Sequence, residues 1–114
     1  MPDEPAPEEW FLEEVRIFDL LKAFENVMKQ IGDMDSHEVE VDEMERVERL
    51  TFVLDRVRPK GVEFPSLFER MARRIEVVAT FLAVLELIRQ RLIRVRQSGT
   101  HGTLYLYPAV VENG

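Results

Sequence analysis

The segment from Ile75 to Arg91 constrains the fold more than any other part of the chain. Its residues are apolar around most of a helical circumference, and between Val77 and Ile88 the only charged side chain is Glu86. A helix that is hydrophobic on nearly every face has to be surrounded by other elements of the protein. We therefore predict that this helix is the central helix of a small core.

Two short alternating segments follow this helix and predict a β-hairpin. Residues 93–97 alternate apolar and basic side chains, and residues 103–107 alternate again after a five-residue loop with two glycines. The residues expected to face the core are Ile93, Val95, Leu104 and Leu106, and those expected to face outward are Arg94, Arg96, Tyr105 and Tyr107. On this interpretation the second strand is a sheet edge that is open to strand addition.

A helix is predicted upstream of the central helix, beginning after Asp42. Asp42 and Glu45 form a variant of the capping box, and Pro59 with Gly61 ends the helix. Its predicted apolar face consists of Met44, Val47, Leu50, Leu54 and Val57. An extended piece at 62–64 and a short helix that starts at Pro65 connect it to the central helix.

The region before residue 33 predicts a long amphipathic helix, which ends at the C-cap signal of Gly32. The residues expected to pack on a partner or on the rest of the chain are Phe18, Leu21, Phe24, Val27 and Met28. An isolated helix of this length is marginal in water, so it has to pack on something. Packing on the core, binding to a partner and pairing with a second copy of the chain remain alternatives. Trp10 and Phe11 are the residues expected to protrude.

These elements together predict an α+β, mostly helical fold. Residues 42–107 have the order helix, short strand, helix, helix and two-stranded wing, which is the order of a winged-helix domain. The amphipathic helix occupies 11–32 and precedes this domain. A flexible acidic tail at 1–10, a linker at 33–41 and a tail at 108–114 complete the predicted organisation.

Several stretches resemble the segregation and condensation protein A (ScpA) family of prokaryotic kleisins. The most specific is VATFLAVLELI at 78–88, which is similar to the family's VxTFLALLELI. The supporting stretches are FDLLKAF at 18–24, HEV at 37–39, FPSLF at 64–68, IRVRQ at 93–97 and GTLYL at 102–106. The resemblance covers roughly residues 15–107.

This resemblance implies a structural role without catalysis and without a cofactor of its own. A kleisin of this family bridges the ATPase heads of an Smc dimer, a dimer of ScpB binds its middle region, and ATP belongs to Smc. The chain would correspond to the C-terminal winged helix, which docks on one head, and to the last helix of the middle region, which contacts ScpB or the chain itself. The implied location is cytoplasmic, with association to the nucleoid through these partners.

The outward face of the predicted wing is the candidate docking surface for the Smc head. The residues assigned to it are Arg94, Arg96, Leu104, Tyr105, Leu106 and Tyr107, with the two leucines anchoring the strand from inside. Tyrosine and arginine are enriched at interface hot spots. The alternative explanation is ordinary cross-strand packing between aromatic and long side chains.

A DNA-binding winged-helix regulator is the alternative function. Residues 58–107 carry 9 Lys and Arg against 4 Asp and Glu, whereas residues 1–57 carry 6 against 17, which amounts to +5 and −11. The helix expected to enter a DNA groove has basic residues only at its ends, and its middle lacks the polar stripe that reads bases. We therefore expect DNA to be contacted only indirectly.

Catalytic, metal-binding and membrane functions find little support in the composition. The chain has no Cys and only two His, His37 and His101, which are 64 positions apart. It contains no HExxH motif, phosphate-binding glycine loop or nucleophile elbow. No segment reaches the ~20 apolar residues of a membrane-spanning helix, and the acidic, Pro-rich N-terminus is unlike a signal peptide.

Overall fold

The computed structural model of the chain describes residues 14–31, 43–97 and 102–109, with side chains described from Ile17 onward. This part of the chain is mostly helical and carries a small antiparallel sheet, which confirms the predicted α+β class. The elements are α1 (Glu14–Ile31), α2 (Glu43–Val57), β1 (Val62–Glu63), a 3₁₀ helix (Phe64–Phe68), α3 (Arg74–Arg89), β2 (Ile93–Gln97) and β3 (Leu104–Pro108).

Helix α3 is the central helix that its composition predicts. Residues on several of its faces are buried, namely Ile75, Val77, Ala79, Thr80, Phe81, Ala83, Val84, Leu87 and Ile88. Helix α2, the 3₁₀ helix and strand β2 all contact it. Arg91 has a positive φ of 63°, and this left-handed residue separates the end of α3 from the start of β2.

The sheet has the strand order β1-β3-β2, and all neighbouring strands are antiparallel. The prediction that the last strand is a sheet edge is therefore wrong, because β3 lies between the other two strands. Val62 pairs with Leu106, so the short extended piece after α2 covers the side of β3 that the hairpin leaves open. The turn at Gly61, whose φ is +89°, directs the chain onto this edge.

The predicted apolar face of α2 packs against the core only from Leu50 onward, where Leu50 and Leu54 are partly buried. Val53 and Val57 are buried, whereas Met44 and Val47 are 68% and 52% exposed. The first two turns of α2 extend beyond the core in the part of the chain that the structure describes. Apolar spacing alone therefore placed two residues inside that the packing leaves at the surface.

The short helix predicted at Pro65 is a 3₁₀ helix rather than an α-helix. It has only five residues, and its start is fixed by Pro65 and by a hydrogen bond of 2.8 Å from the Ser66 hydroxyl to the carbonyl oxygen of Glu63. Phe64, Leu67 and Phe68 are all buried, so this turn inserts a large apolar group into the core.

Helix α1 packs against the 3₁₀ helix and α3. Leu20 and Val27 are buried there, and the Phe24 ring contacts both Phe68 and Phe81. Other predictions lie outside the described residues: protrusion of Trp10 and Phe11, the tails, the 33–41 linker, the cap at Asp42, and the wing loop at 98–101 with His101.

Candidate functional site

The outward face of the β2–β3 hairpin brings the predicted arginines and tyrosines together. Arg94 pairs with Tyr107 and Arg96 with Tyr105 across the two strands. The Tyr105 and Tyr107 rings lie 6.2 Å apart between centroids. Arg96 is exposed and the other three side chains are half-buried, so each of the four is accessible from this face.

A hydrogen bond holds Tyr105 on this surface. Its hydroxyl donates to Oε2 of Glu63 at a distance of 3.2 Å, which links β3 to β1. The bond stabilises the neutral phenol, and it raises the pKa of Tyr105 above the ordinary value of 10.0. The Tyr105 ring is therefore oriented by β1, which the sequence predicts only as an extended connecting piece.

A cleft of about 210 Å³ opens beside these residues. It is lined by Lys60, Arg94, Arg96, Tyr107 and Pro108. Three cationic side chains next to an aromatic ring form a site that suits a carboxylate or an aromatic group of a partner protein. Lys60 belongs to the turn after α2, and its contribution is not visible from the hairpin sequence alone.

The two leucines assigned to the docking surface lie on the other side of the sheet. Leu104 and Leu106 are buried in the core together with Ile93 and Val95. The predicted alternation of the hairpin is thus present in the structure. The leucines fix the position of β3 from inside, so a partner on the outer face would not touch them.

The structure divides the residues that the sequence groups on α1. Val27 is buried, and Phe24 and Met28 pack partly buried against the core. Phe18 and Leu21 are 61% and 49% exposed, with the Lys22 ammonium 5.6 Å from the centroid of the Phe18 ring. One half of the apolar stripe is therefore used within the chain, and the other half remains accessible.

An apolar groove between α2 and α3 is a feature that the sequence reasoning missed. Its volume is about 360 Å³, and its lining residues are Arg46, Leu50, Ala79, Leu82, Ala83, Leu85, Glu86 and Arg89. Leu82, in the middle of α3, is 53% exposed at this groove. The signal in the sequence was the pair Ala79 and Ala83, because small residues four positions apart on an apolar helix leave room for a groove.

Charged residues at the end of α3 border this groove. Glu86 accepts hydrogen bonds from Arg89 Nη2 and from Gln90 Nε2, both at 2.6 Å. These bonds lower the pKa of Glu86 to about 2, since they stabilise its ionised form. Arg89 is therefore paired locally with Glu86. Its place in the last turn of α3 also suits a cation at a helix C-terminus.

The described residues give no support to a metal site or to a membrane-spanning helix. They contain no group of three or more acidic or histidine side chains arranged to hold a metal ion. Their helices also lack the combined length and apolar character needed to cross a bilayer. His37 and His101 lie outside the described residues.

Comparison with known proteins identifies the family. The family model described as "Segregation and condensation protein ScpA" matches residues 7–108. The chain is similar to segregation and condensation protein A of Myxococcus xanthus, with 40% identity over 108 residues that cover 91% of this chain and 37% of that protein. The protein of the same name from Brevibacillus brevis is 34% identical over 88% of this chain and 39% of its own length.

These relatives are longer than the chain. It spans less than half of their length, and this also holds for the Clostridium perfringens protein, which is 26% identical over 90% of this chain and 44% of its own length. No solved structure matches the chain significantly. A match over residues 7–108 includes all described elements, and the chain therefore belongs to the segregation and condensation protein A family.

Proposed function

We propose that this chain is a non-catalytic module of a condensin-type complex and that it docks on the ATPase head of an Smc protein. Family membership supports a role in chromosome condensation and segregation. On this proposal ATP binding and hydrolysis belong to Smc, and the module needs no cofactor. It acts in the cytoplasm and reaches the nucleoid through its partners.

The docking module is a winged-helix domain at residues 42–107. The order α2, β1, 3₁₀ helix, α3 and the β2–β3 hairpin supports this interpretation, with the hairpin as the wing. The proposed organisation retains a tail at 1–10, a helix of the middle region at 11–32, a linker at 33–41 and a tail at 108–114.

The observation that carries the proposal is the outer face of the wing. Tyr105 and Tyr107 stand beside Arg94 and Arg96 on one surface, with a cationic cleft at its side. Tyrosine and arginine are enriched among the few residues that supply most of the binding energy at protein interfaces. We assign the contact with the Smc head to these four side chains, while Leu104 and Leu106 support them from the core.

The exposed half of α1 is assigned to a second contact. Ile17, Phe18 and Leu21 form an apolar patch on the helix surface, and such patches are typical of protein–protein contacts. On this proposal the patch contributes to ScpB binding. A homodimer of the chain through the same patch is the competing arrangement, and light scattering over a range of concentrations distinguishes the two.

Direct DNA recognition is the less supported alternative. The exposed residue in the middle of α3 is Leu82, and a base-reading helix requires polar side chains there. The basic residues of α3 lie at its two ends, where they suit phosphate contacts at most. The proposal therefore includes DNA only as an indirect partner.

Titration calorimetry of the chain with its cognate Smc head tests the proposal, with duplex DNA as control at two salt concentrations. We expect head binding in the micromolar range or tighter and no duplex binding. Duplex binding that collapses with salt, together with an absence of head binding, would establish the DNA-binding alternative instead.

Variants of the wing test the assigned surface. Tyr105→Arg combined with Tyr107→Glu is expected to abolish head binding while circular dichroism shows a folded chain. Arg96→Glu, at an exposed side chain, tests the same surface with less risk to the fold. If both variants bind the head like the parent chain, the contact lies elsewhere.

A further inference from the structure

A second cationic cleft lies where α2, the turn after the 3₁₀ helix and the first turn of α3 meet. Its volume is about 190 Å³, and three arginines, Arg49, Arg56 and Arg70, are among its lining residues. The wing surface comprises β2, β3 and the turn at Lys60, so this cleft is built from other side chains. It is independent of the proposed contact with the Smc head.

Two of these arginines share one aromatic ring. The guanidinium carbon of Arg49 lies 4.6 Å from the centroid of the Phe52 ring, and that of Arg56 lies 5.0 Å from the same centroid. Positions 49, 52 and 56 follow the three- and four-residue spacing that places side chains on one helix face. The two positive charges are thus within about 10 Å of each other, a separation at which salt screens them only in part.

A neutral hydroxyl orients the first arginine. Nη1 of Arg49 donates to Oγ1 of Thr80 at 3.3 Å, and the Thr80 hydroxyl donates to the carbonyl oxygen of Glu76 at 2.8 Å. Thr80 is fully buried, so its position is set by the core. The guanidinium of Arg49 is therefore held in place without neutralisation of its charge.

The arginines of the cleft are not neutralised by carboxylates in the described part of the chain. Its ion pairs within 4.0 Å do not include Arg49, Arg56 or Arg70, although Glu69 and Glu76 line the same cleft. Arg56 and Arg70 are exposed to solvent. The cleft therefore presents guanidinium donors that a ligand can reach.

We infer that this cleft binds a side-chain carboxylate from an acidic peptide segment of a partner protein. A guanidinium binds a carboxylate through two parallel hydrogen bonds, and stacking on an aromatic face leaves its N–H edge available. A carboxylate between Arg56 and Arg70 relieves the repulsion among the three cations. The small volume of the cleft suits a single side chain.

A peptide fits this cleft better than a nucleic acid does. Glu69 and Glu76 line it, and α2 carries further acids at Glu48 and Asp55. Duplex DNA presents a negative charge about every 1.7 Å along its axis, so several phosphates would meet these carboxylates. A peptide places one carboxylate between the arginines and keeps its other charges away.

Titration of the full chain with an acetylated, amidated hexaglutamate peptide tests this inference. The side-chain Nε–Hε signals of the arginines are followed by NMR, and a hexaglutamine peptide is the uncharged control. We expect the signals of Arg56 and Arg70, the two exposed arginines that hold the carboxylate, to shift with hexaglutamate only. Arg56→Gln and Arg70→Gln should each weaken the binding about threefold to fivefold, as loss of one partly exposed ion pair implies.

Arg58→Gln is the matched control, because Arg58 is an exposed arginine two positions from Arg56 that does not line the cleft. It should change the affinity by less than a factor of two. Equal weakening by Arg58→Gln would show non-specific attraction and overturn the inference. Absence of any shift would overturn it as well, and so would a duplex DNA that shifts the same signals at lower concentration than the peptide.

Discussion

The Phe24 ring of α1 stacks on the Phe81 ring of α3, with centroids 4.1 Å apart and planes inclined by 7°. Phe24 also lies 5.9 Å from Phe68 of the 3₁₀ helix. This contact packs α1 on the central helix. Part of the apolar stripe of α1 therefore belongs to the folded core and is not left for a partner. A stacked pair of this kind stabilises the fold by more than the burial of its apolar area alone accounts for.

Replacement of Phe24 by alanine is expected to destabilise the chain by about 3 kcal/mol, the lower end for phenylalanine in a core, because the side chain is only partly buried. Urea unfolding measures this change. Phe18→Ala on the same helix is the control, and we expect it to alter stability by no more than about 0.5 kcal/mol, since Phe18 is largely exposed. Equal effects of the two variants would mean that α1 does not pack through Phe24.

Gly61→Ala is expected to destabilise the fold by about 1–3 kcal/mol. The φ of Gly61 is +89°, and a Cβ there would lie 2.9 Å from the carbonyl oxygen of Leu106 and 3.1 Å from the Tyr107 ring. The first contact is with backbone, so relief requires displacement of β3. Thermal unfolding of this variant beside Lys60→Ala, an exposed neighbour, checks the prediction. A similar midpoint for both variants would contradict it.

The hairpin and the central helix were predictable from sequence because their periodicity is local. Alternation over 93–97 and 104–107 follows from the pleat of a strand. The pairing of Val62 with Leu106 was not predictable, because a two-residue strand has no periodicity and its partner lies more than 40 positions away. This pairing turned an expected sheet edge into the central strand.

The candidate surfaces also divide into one that local periodicity predicts and others that depend on contacts between distant segments. The shared outward face of the arginines and tyrosines of the hairpin was predictable, because alternation assigns a side to each residue. The groove at Leu82 and the cleft at Arg49 arise between α2 and neighbouring elements. Both depend on how far α2 packs along its neighbours, and apolar spacing alone does not reveal that Met44 and Val47 lie beyond the core.

The contacts of Glu86 predict that the free energy of unfolding decreases at acid pH. Its pKa is lowered from 4.5 to about 2 by Arg89 and Gln90. Because the pKa of Glu86 is lower in the folded chain than in the unfolded chain, its contacts stabilise the fold at any pH above about 4.5. This contribution is lost as the pH falls from about 4.5 to about 2. The stability difference between the parent chain and Glu86→Gln should therefore shrink over this range in urea unfolding.

The arginine partner provides the control for this titration. In an Arg89→Ala background the first cause of the lowered pKa is removed, so Glu86→Gln should produce a smaller pH-dependent difference. An unchanged difference in that background would show that Arg89 is not responsible for the effect.

The bond between Tyr105 and Glu63 makes a prediction at alkaline pH. The pKa of Tyr105 is raised above 10.0, so the bond stabilises the fold below pH 10.0 and this contribution is lost as the pH rises through the raised value. Glu63→Gln should return the tyrosinate transition toward pH 10.0. The chain has two tyrosines, and a Tyr107→Phe background isolates the absorbance of Tyr105. An identical transition with and without Glu63 would contradict the assignment.

A variant in the groove at Leu82 tests whether this groove, rather than the outer face of the hairpin, contacts the Smc head. Leu82→Glu should leave stability within about 0.5 kcal/mol, because the side chain is half exposed. If the wing is the docking surface, this variant binds the Smc head within a factor of two of the parent chain, whereas Arg96→Glu weakens binding clearly. Calorimetric titration of both variants measures the difference. The opposite ranking would transfer the contact to the groove, since a charge placed in an apolar interface without a partner is costly.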